Sequence, residues 1–143
     1  MADEKIFSIF VVLAILSIIN VIAVATVHDS GCGINTDANR GQMIWAYVCS
    51  CVSTAVCLIY LIVLKVSPDI DNTIGAFVAI FLCLWWTAGA GVETFSFPFV
   101  ATSNGYFSAW GCFGLSWYLG TLKVPVIAQS MGSVSNAAYV SVE

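Results

Sequence analysis

Two polar side chains, Asn20 and Glu93, occur where the sequence is otherwise apolar, and both could do chemistry there. Asn20 is the only strongly polar residue in Ile6–Val27, and Glu93 is the only carboxylate that adjoins an apolar run. A carboxyl group at membrane depth can bind a proton or an ion when a polar partner lies beside it, but transporters usually carry more ionisable groups in their apolar segments. We therefore interpret Asn20 as an interhelical hydrogen-bonding residue and Glu93 as hydrated at the membrane interface. A small transporter or channel is the alternative.

The six cysteines could suggest a metal or disulfide centre, but their placement favours a packing role. Five of them lie inside apolar runs, where a thiol behaves as a small hydrophobic group. Cys49 and Cys51 point about 200° apart on a helix and cannot chelate one ion. Whether Cys32, the one loop cysteine, pairs with another residue stays open. Since the sequence also shows no pairing of a base with a nucleophile, we expect a non-enzymatic protein without catalytic residues, metal or cofactor.

The composition indicates that lipid is the solvent of this chain. Of its 143 residues 60% are hydrophobic and 8% are charged, and the mean hydropathy is +0.97. A soluble domain has about 25% charged residues, so a soluble fold of this chain could not cover its own surface. We predict one all-α domain, an integral membrane four-helix bundle with short loops. The net charge of −4 comes without a basic patch, which excludes nucleic acid as a partner.

Four apolar segments are predicted to cross the bilayer as helices, at residues 6–27, 43–66, 74–92 and 106–122. The first has about 22 residues and a helical length of about 33 Å, enough for a hydrocarbon core of about 30 Å. It is longer than the core of a cleavable signal peptide, about 7–15 residues, and we expect it to be retained. Residues 1–122 are the predicted transmembrane domain, and residues 123–143 are predicted to form a mobile cytoplasmic tail.

The few basic residues predict the orientation of the bundle. Because an even number of spans puts both termini on one side, Lys5, Lys65 and Lys123 share that side, while Arg40 lies on the other. Basic residues favour the cytoplasmic side of a membrane, so we expect both termini to be cytoplasmic. A plasma membrane or vesicle location is favoured.

Small residues recur every four positions in three of the predicted spans, which allows helix backbones to approach closely in lipid. These rows are Gly75, Ala79, Cys83, Thr87 and Gly91 in the third span, Ser108, Cys112, Ser116 and Gly120 in the fourth, and Cys49, Ser53 and Cys57 in the second. Four residues advance about 400° around a helix, so each row drifts by about 40° per step. We expect the rows to face inward and to set the helix packing.

An aromatic stripe on the fourth span is predicted to face outward. Trp110, Phe113 and Trp117 fall at i, i+3 and i+7, on a face distinct from the small-residue row. We interpret the stripe as a surface for lipid or a partner, with a pigment or sterol platform as the alternative. The polar break at residues 93–104 is predicted to be an exposed hairpin on the non-cytoplasmic side.

The third and fourth spans carry a family resemblance. Leu84–Ala88 (LWWTA) is Trp-rich, and Gly105–Trp110 (GYFSAW) is small and aromatic. With four spans and both termini inside, the chain resembles the MARVEL-like tetraspan proteins, the synaptogyrin and synaptophysin relatives, over Ile6–Leu122. It lacks the W…GLW…C…C pattern of the first claudin loop and the large cysteine-rich second loop of tetraspanins. The resemblance implies a non-enzymatic protein of vesicles or membrane microdomains.

The expected function is lateral association in the bilayer, which organises a membrane domain or a vesicle. The expected partners are lipid, other membrane proteins or further copies of this chain in a homo-oligomer. The alternative from another class is an accessory subunit of a large bioenergetic or photosynthetic membrane complex. Tyr139 and Val142 fit the tyrosine-x-x-bulky pattern by which adaptor proteins sort membrane cargo, so they form a candidate sorting signal.

Overall fold

The computed structural model describes residues 2–31, 37–67, 71–125, 129 and 132. The chain forms four α-helices, namely α1 (Ala2–Ser30), α2 (Asp37–Val66), α3 (Asp71–Phe95) and α4 (Asn104–Lys123). No β-strand occurs in these described ranges, so the all-helical prediction is confirmed. Each of the four predicted segments lies within one helix. Most of the predicted tail, including Tyr139 and Val142, lies outside the described residues.

The helices extend further into the polar segments than the sequence pattern predicts. α1 continues through Ser30 and α2 starts at Asp37, so much of the predicted loop at residues 28–42 is helical. Polar side chains do not end a helix while they face solvent, because the backbone hydrogen bonds are kept. Gly31 ends α1: its φ of 63° leaves the helical region, and its N–H donates to the carbonyl of His28 at 3.1 Å. Cys32 lies outside the described residues.

The predicted hairpin at residues 93–104 is shorter than expected. α3 runs through Phe95, so Glu93 lies in the last helical turn rather than in a loop. The connection is residues 96–103, and Ser103 caps α4 by accepting the Tyr106 N–H at 3.2 Å. Within this connection Phe99 is only 2% exposed, so the hairpin is folded onto the bundle instead of standing free.

The four helices pack as a closed ring. α1 contacts α2 and α4, and α3 contacts α4 and α2, so α1 and α3 lie diagonally opposite each other. The centre between them is filled by large side chains that have no exposed surface, among them Phe10, Leu13, Leu82, Trp86 and Leu119. Any bond that joins α1 directly to α3 must therefore cross the core of the bundle.

The small-residue rows of α2 and α4 face this core. Every member of both rows is buried, namely Cys49, Ser53 and Cys57 on α2 and Ser108, Cys112, Ser116 and Gly120 on α4. At the junction of α1 and α4, a Cβ at Gly111 would lie 2.9 Å from the Leu16 side chain. These helices therefore approach closely where their side chains are smallest.

The row on α3 turns away from the core after its first three residues. Gly75, Ala79 and Cys83 are buried, but Thr87 is exposed, and a Cβ at Gly91 would meet no atom within 4 Å. The prediction of an inward-facing row is therefore wrong for Thr87 and Gly91. The cause is the drift of about 40° per four-residue step, which adds up to about 160° over the row.

Three of the helices are long and apolar enough to cross a membrane, over Glu4–Ser30, Asp37–Val66 and Ile74–Phe95. α4 has 20 residues and is not among them. Large hydrophobic side chains are exposed on every helix, including Ile22 at 60%, Ile62 at 63%, Phe77 at 71% and Phe107 at 65%.

Candidate functional site

Asn20 and Glu93 meet inside the bundle, close to the end of α3. The Asn20 side-chain amide on α1 donates from Nδ2 to Oε2 of Glu93 on α3 at 2.9 Å. Both residues are 0% exposed. The interpretation of Glu93 as a hydrated interfacial residue is therefore wrong: α3 extends past it, and the helices enclose its carboxyl group. The hydrogen bond joins the two diagonally opposite helices directly.

A heptad-like spacing brings these two residues inward. On α1 the buried residues follow steps of three and four, at Phe10, Leu13, Ser17, Asn20 and Val24. On α3 they follow the same steps, at Ala79, Leu82, Trp86, Gly89 and Glu93. This period of 3.5 keeps one seam facing a partner helix, as in other helical bundles. It is the signal that the four-residue rows did not capture.

A second polar layer lies about one helical turn from Asn20 on α1 and about two turns from Glu93 on α3. Ser17 Oγ and Ser53 Oγ are hydrogen-bonded at 2.9 Å, and Ser17 Oγ lies 3.7 Å from Cys112 Sγ. The indole N–H of Trp86 donates to Ser53 Oγ at 2.8 Å. One side chain from each helix thus takes part, and all four are 0% exposed. Sequence reasoning did not assign Ser17 or Trp86 to a polar layer, although the heptad places both inward.

The Asn20–Glu93 pair leaves two buried oxygens unpaired. Asn20 Oδ1 and Glu93 Oε1 have no hydrogen-bond partner among the described residues. Buried polar groups are nearly always hydrogen-bonded, and an unpaired one costs free energy, so this pair is an exception in the core. The Ser17–Ser53 layer has no such orphan. Chemically, the two oxygens can accept a proton, a hydrogen bond or a cation.

The connection between α3 and α4 closes the bundle next to this pair. The Phe99 N–H donates to the backbone carbonyl of Glu93 at 2.8 Å. The Phe99 ring packs in a second apolar cluster with Val24, Met43 and Ala46. Close approach of Gly105 to this ring leaves no room for a Cβ there. The segment thus covers the end of the core that holds Glu93.

The cysteine side chains show no metal or disulfide arrangement in the described chain. Cys49, Cys57, Cys83 and Cys112 are free and buried, whereas Cys51 is free and exposed. Cys83 Sγ donates to the backbone carbonyl of Ser116 at 3.0 Å, which joins α3 to α4. No group of three or more His, Cys, Asp or Glu side chains suited to a metal ion occurs within the part of the chain that the structure describes.

The aromatic stripe on α4 lies along the junction with α3. Trp110, Phe113 and Trp117 are each half-buried, and the Trp117 indole N–H donates to Thr87 Oγ1 of α3 at 3.1 Å. Trp110 also contacts Phe95 of α3 edge-to-face, with ring centroids 6.2 Å apart. The stripe thus covers an outer groove between two helices and keeps one side toward the surroundings.

A half-open, mostly apolar groove of about 340 Å³ lies between α1 and the start of α4. Ile22, Ala23 and Val27 line one side, and Phe99 and Gly105 line the other. Its walls carry the polar side chains of Thr26, Ser103 and Asn104 but no ionisable side chain. The groove therefore suits a mostly apolar, uncharged occupant.

Comparison of the chain with protein-family models, with curated proteins and with solved structures finds no match. The role of the candidate site is therefore indicated by the chemistry of its own residues.

Proposed function

We propose that this chain is a non-enzymatic, four-span membrane protein with both termini in the cytoplasm. It acts by lateral association with other membrane proteins or with itself, and so organises a membrane domain or a vesicle. The resemblance of Leu84–Ala88 and Gly105–Trp110 to MARVEL-like tetraspan proteins supports the same proposal.

The observation that carries the proposal is the distribution of polarity between the inside and the outside of the bundle. Asn20, Glu93 and Ser53 are fully buried, whereas Phe77 and Ile62 are mostly exposed. In water, a surface covered by such side chains on every helix would drive aggregation. In lipid the same surface is solvated, and the polar groups find their partners inside the protein.

The packing of α4 supports a fourth span. α4 lies between α1 and α3 and closes the ring, although its composition alone does not mark it as a membrane helix. Its buried face carries the small or polar residues Ser108, Cys112 and Ser116, whereas Phe107 and Tyr118 are exposed. A helix can cross lipid with a modest apolar content when its polar residues face other helices.

The experiment is extraction of the full chain in a mild detergent, with measurement of the protein mass of the particle. A homo-oligomer, or a defined particle with another membrane protein, is the expected result. A large coloured or redox-active particle would instead identify an accessory subunit of a bioenergetic or photosynthetic complex. Tags at either terminus should be accessible only from the cytoplasmic side of sealed vesicles, and opposite accessibility of the two tags would contradict four spans.

A small transporter is the second candidate, because Asn20 and Glu93 lie in contact inside the bundle. The test is proton or sodium flux into liposomes that contain the purified chain. Transport requires flux that Glu93→Gln abolishes and that Glu4→Gln, a change at an exposed carboxylate, preserves. If liposomes with the wild-type protein or with Glu4→Gln show no proton or sodium flux, this candidate is rejected and lateral association remains.

A further inference from the structure

The unpaired oxygens of the buried pair require a partner that the protein side chains do not supply. Asn20 Oδ1 is an acceptor, and Glu93 Oε1 is also only an acceptor when the carboxyl group is ionised. Two acceptors cannot satisfy each other. An ionised carboxylate in this position would also be a buried charge without a counter-ion, which costs far more than an unpaired neutral group.

The surroundings of Glu93 provide no compensating positive charge. Its hydrogen-bond partner from α1 is the neutral amide of Asn20. The titratable side chains near enough to interact electrostatically with it are the thiols of Cys49 from α2 and Cys112 from α4. The connection at residues 96–103, which covers this end, contains no charged residue. Within the described chain, the carboxyl group therefore faces only neutral amide, thiol and apolar groups.

We propose that Glu93 binds a proton in the folded bundle and forms a reciprocal acid–amide pair with Asn20. In this pair the Asn20 Nδ2–H donates to Oε2, as observed, and the added proton on Oε1 is donated to Asn20 Oδ1. One proton taken from water thus supplies the missing partner of both oxygens and removes the buried charge. The pair joins the diagonal helices α1 and α3 by two hydrogen bonds instead of one.

A metal cation fits the same oxygens less well. Biological cations with oxygen ligands take about six or more of them. The nearest hydroxyl along α3 belongs to Thr94, and its Oγ1 is held against the backbone of its own helix, where it donates to the Ala90 carbonyl at 2.6 Å. Asn20 and Glu93 alone therefore provide too few ligands. We therefore assign a proton to this site. Replacement of sodium by choline at constant pH distinguishes a proton from a sodium ion.

The test is infrared spectroscopy of the full-length protein in lipid nanodiscs, compared with its Glu93→Gln and Glu4→Gln variants. At neutral pH the wild-type protein should show a carboxylic-acid C=O band that shifts in D₂O. Glu93→Gln should lose this band, whereas Glu4→Gln should keep it because Glu4 is exposed. Raising the pH should remove the wild-type band.

A second readout is stability as a function of pH. Because the proton stabilises the folded bundle, the wild-type unfolding temperature should fall as the pH rises. Gln at position 93 also donates to and accepts from Asn20, so Glu93→Gln should keep wild-type stability at neutral pH and lose the pH dependence. Glu4→Gln should behave as the wild type.

Three results would overturn the proposal. The first is a wild-type spectrum without the acid band at neutral pH, which needs no variant to interpret. The second is a band that responds to replacement of sodium by choline at constant pH, which would indicate a cation site. The third is a Glu93→Gln spectrum that keeps the band. A particle that holds a single copy of the chain and no other protein would reject lateral association but would leave this proton site untouched, since the site lies inside one bundle.

Discussion

Two neighbouring polar layers in the same core differ in how completely their hydrogen bonds are made. In the layer of Ser17, Ser53, Trp86 and Cys112, every helix contributes a side chain, and no polar side-chain atom is left unpaired. In the Asn20–Glu93 layer, two helices contribute one bond, and two oxygens have no partner. Both layers are shielded from solvent to the same degree.

The difference separates a structural role from a binding role. A fully paired polar layer fixes the register of four helices, because any sliding of one helix breaks buried bonds that the apolar surroundings in the core cannot replace. A partly paired layer adds less to the packing and leaves acceptor atoms for a ligand. Weakening each layer separately tests this contrast.

The largest effect is expected from Trp86→Ala in the paired layer. The side chain fills the centre of the core and donates to Ser53, so its loss leaves a cavity and an unpaired hydroxyl. We expect a loss of about 3 kcal/mol or more in the free energy of unfolding, measured by denaturant titration in mixed micelles. Phe77→Ala, at an exposed position, is the control and should cost much less. Equal losses would contradict the assigned core.

Ser53→Ala should have the next largest effect, because Ser53 bonds to both Ser17 and Trp86. Hydrogen bonds between membrane helices contribute about 0.6–2 kcal/mol each, so we expect a loss of about 1–3 kcal/mol in unfolding free energy. Ser17→Ala combined with Ser53→Ala should cost less than the sum of the single changes. Strict additivity would show that the two serines do not act as one layer.

Asn20→Leu should cost less than Ser53→Ala, about 1 kcal/mol at neutral pH. With Glu93 protonated, the change removes both hydrogen bonds of the pair and leaves the carboxyl group unpaired, but that group is neutral, and the buried polar amide of Asn20 is removed with them. The measurement is unfolding free energy in the same micelles. A loss larger than that of Ser53→Ala would mean that the Asn20–Glu93 layer is the main structural one.

Thr87→Val should have the smallest effect, below about 0.5 kcal/mol. Its bond to the Trp117 indole lies at the exposed outer edge of the junction between α3 and α4, outside both layers. The same unfolding measurement applies. A large loss of stability would show that the polar contact in this outer groove stabilises the fold more than the polar layers of the core do.

The helical architecture could be predicted from the sequence because long apolar runs dominate it. Each of the four predicted segments lies within one helix, but the predicted helix ends are wrong. Polar residues such as Asp37 and Glu93 are as compatible with a helical turn as with a loop, so they do not mark the ends. Helix ends depend on caps such as Gly31 and Ser103, whose conformation the composition does not reveal.

The candidate site was only half predictable. Asn20 and Glu93 could be selected by type, because polar groups are rare in these segments. Their contact could not be predicted, since it depends on which helices lie diagonally opposite and on how far α3 continues. A repeat of 3.5 residues along α3, instead of 4.0, predicts that Gly89 faces the core and that Gly91 does not. The structure agrees, since a Cβ at Gly89 would overlap Cys49 and a Cβ at Gly91 would meet no atom.

The modest apolar content of α4 has a consequence for how the protein is made. Three helices are apolar enough to enter a bilayer from the ribosome, whereas α4 is not marked as such by its composition. Its Ser108, Ser116 and Gly120 become favourable in lipid only when they are covered by neighbouring helices. We therefore expect α4 to enter the membrane together with α3 as a helical hairpin. A chain truncated before α3 and fused directly to α4 should leave α4 outside the bilayer.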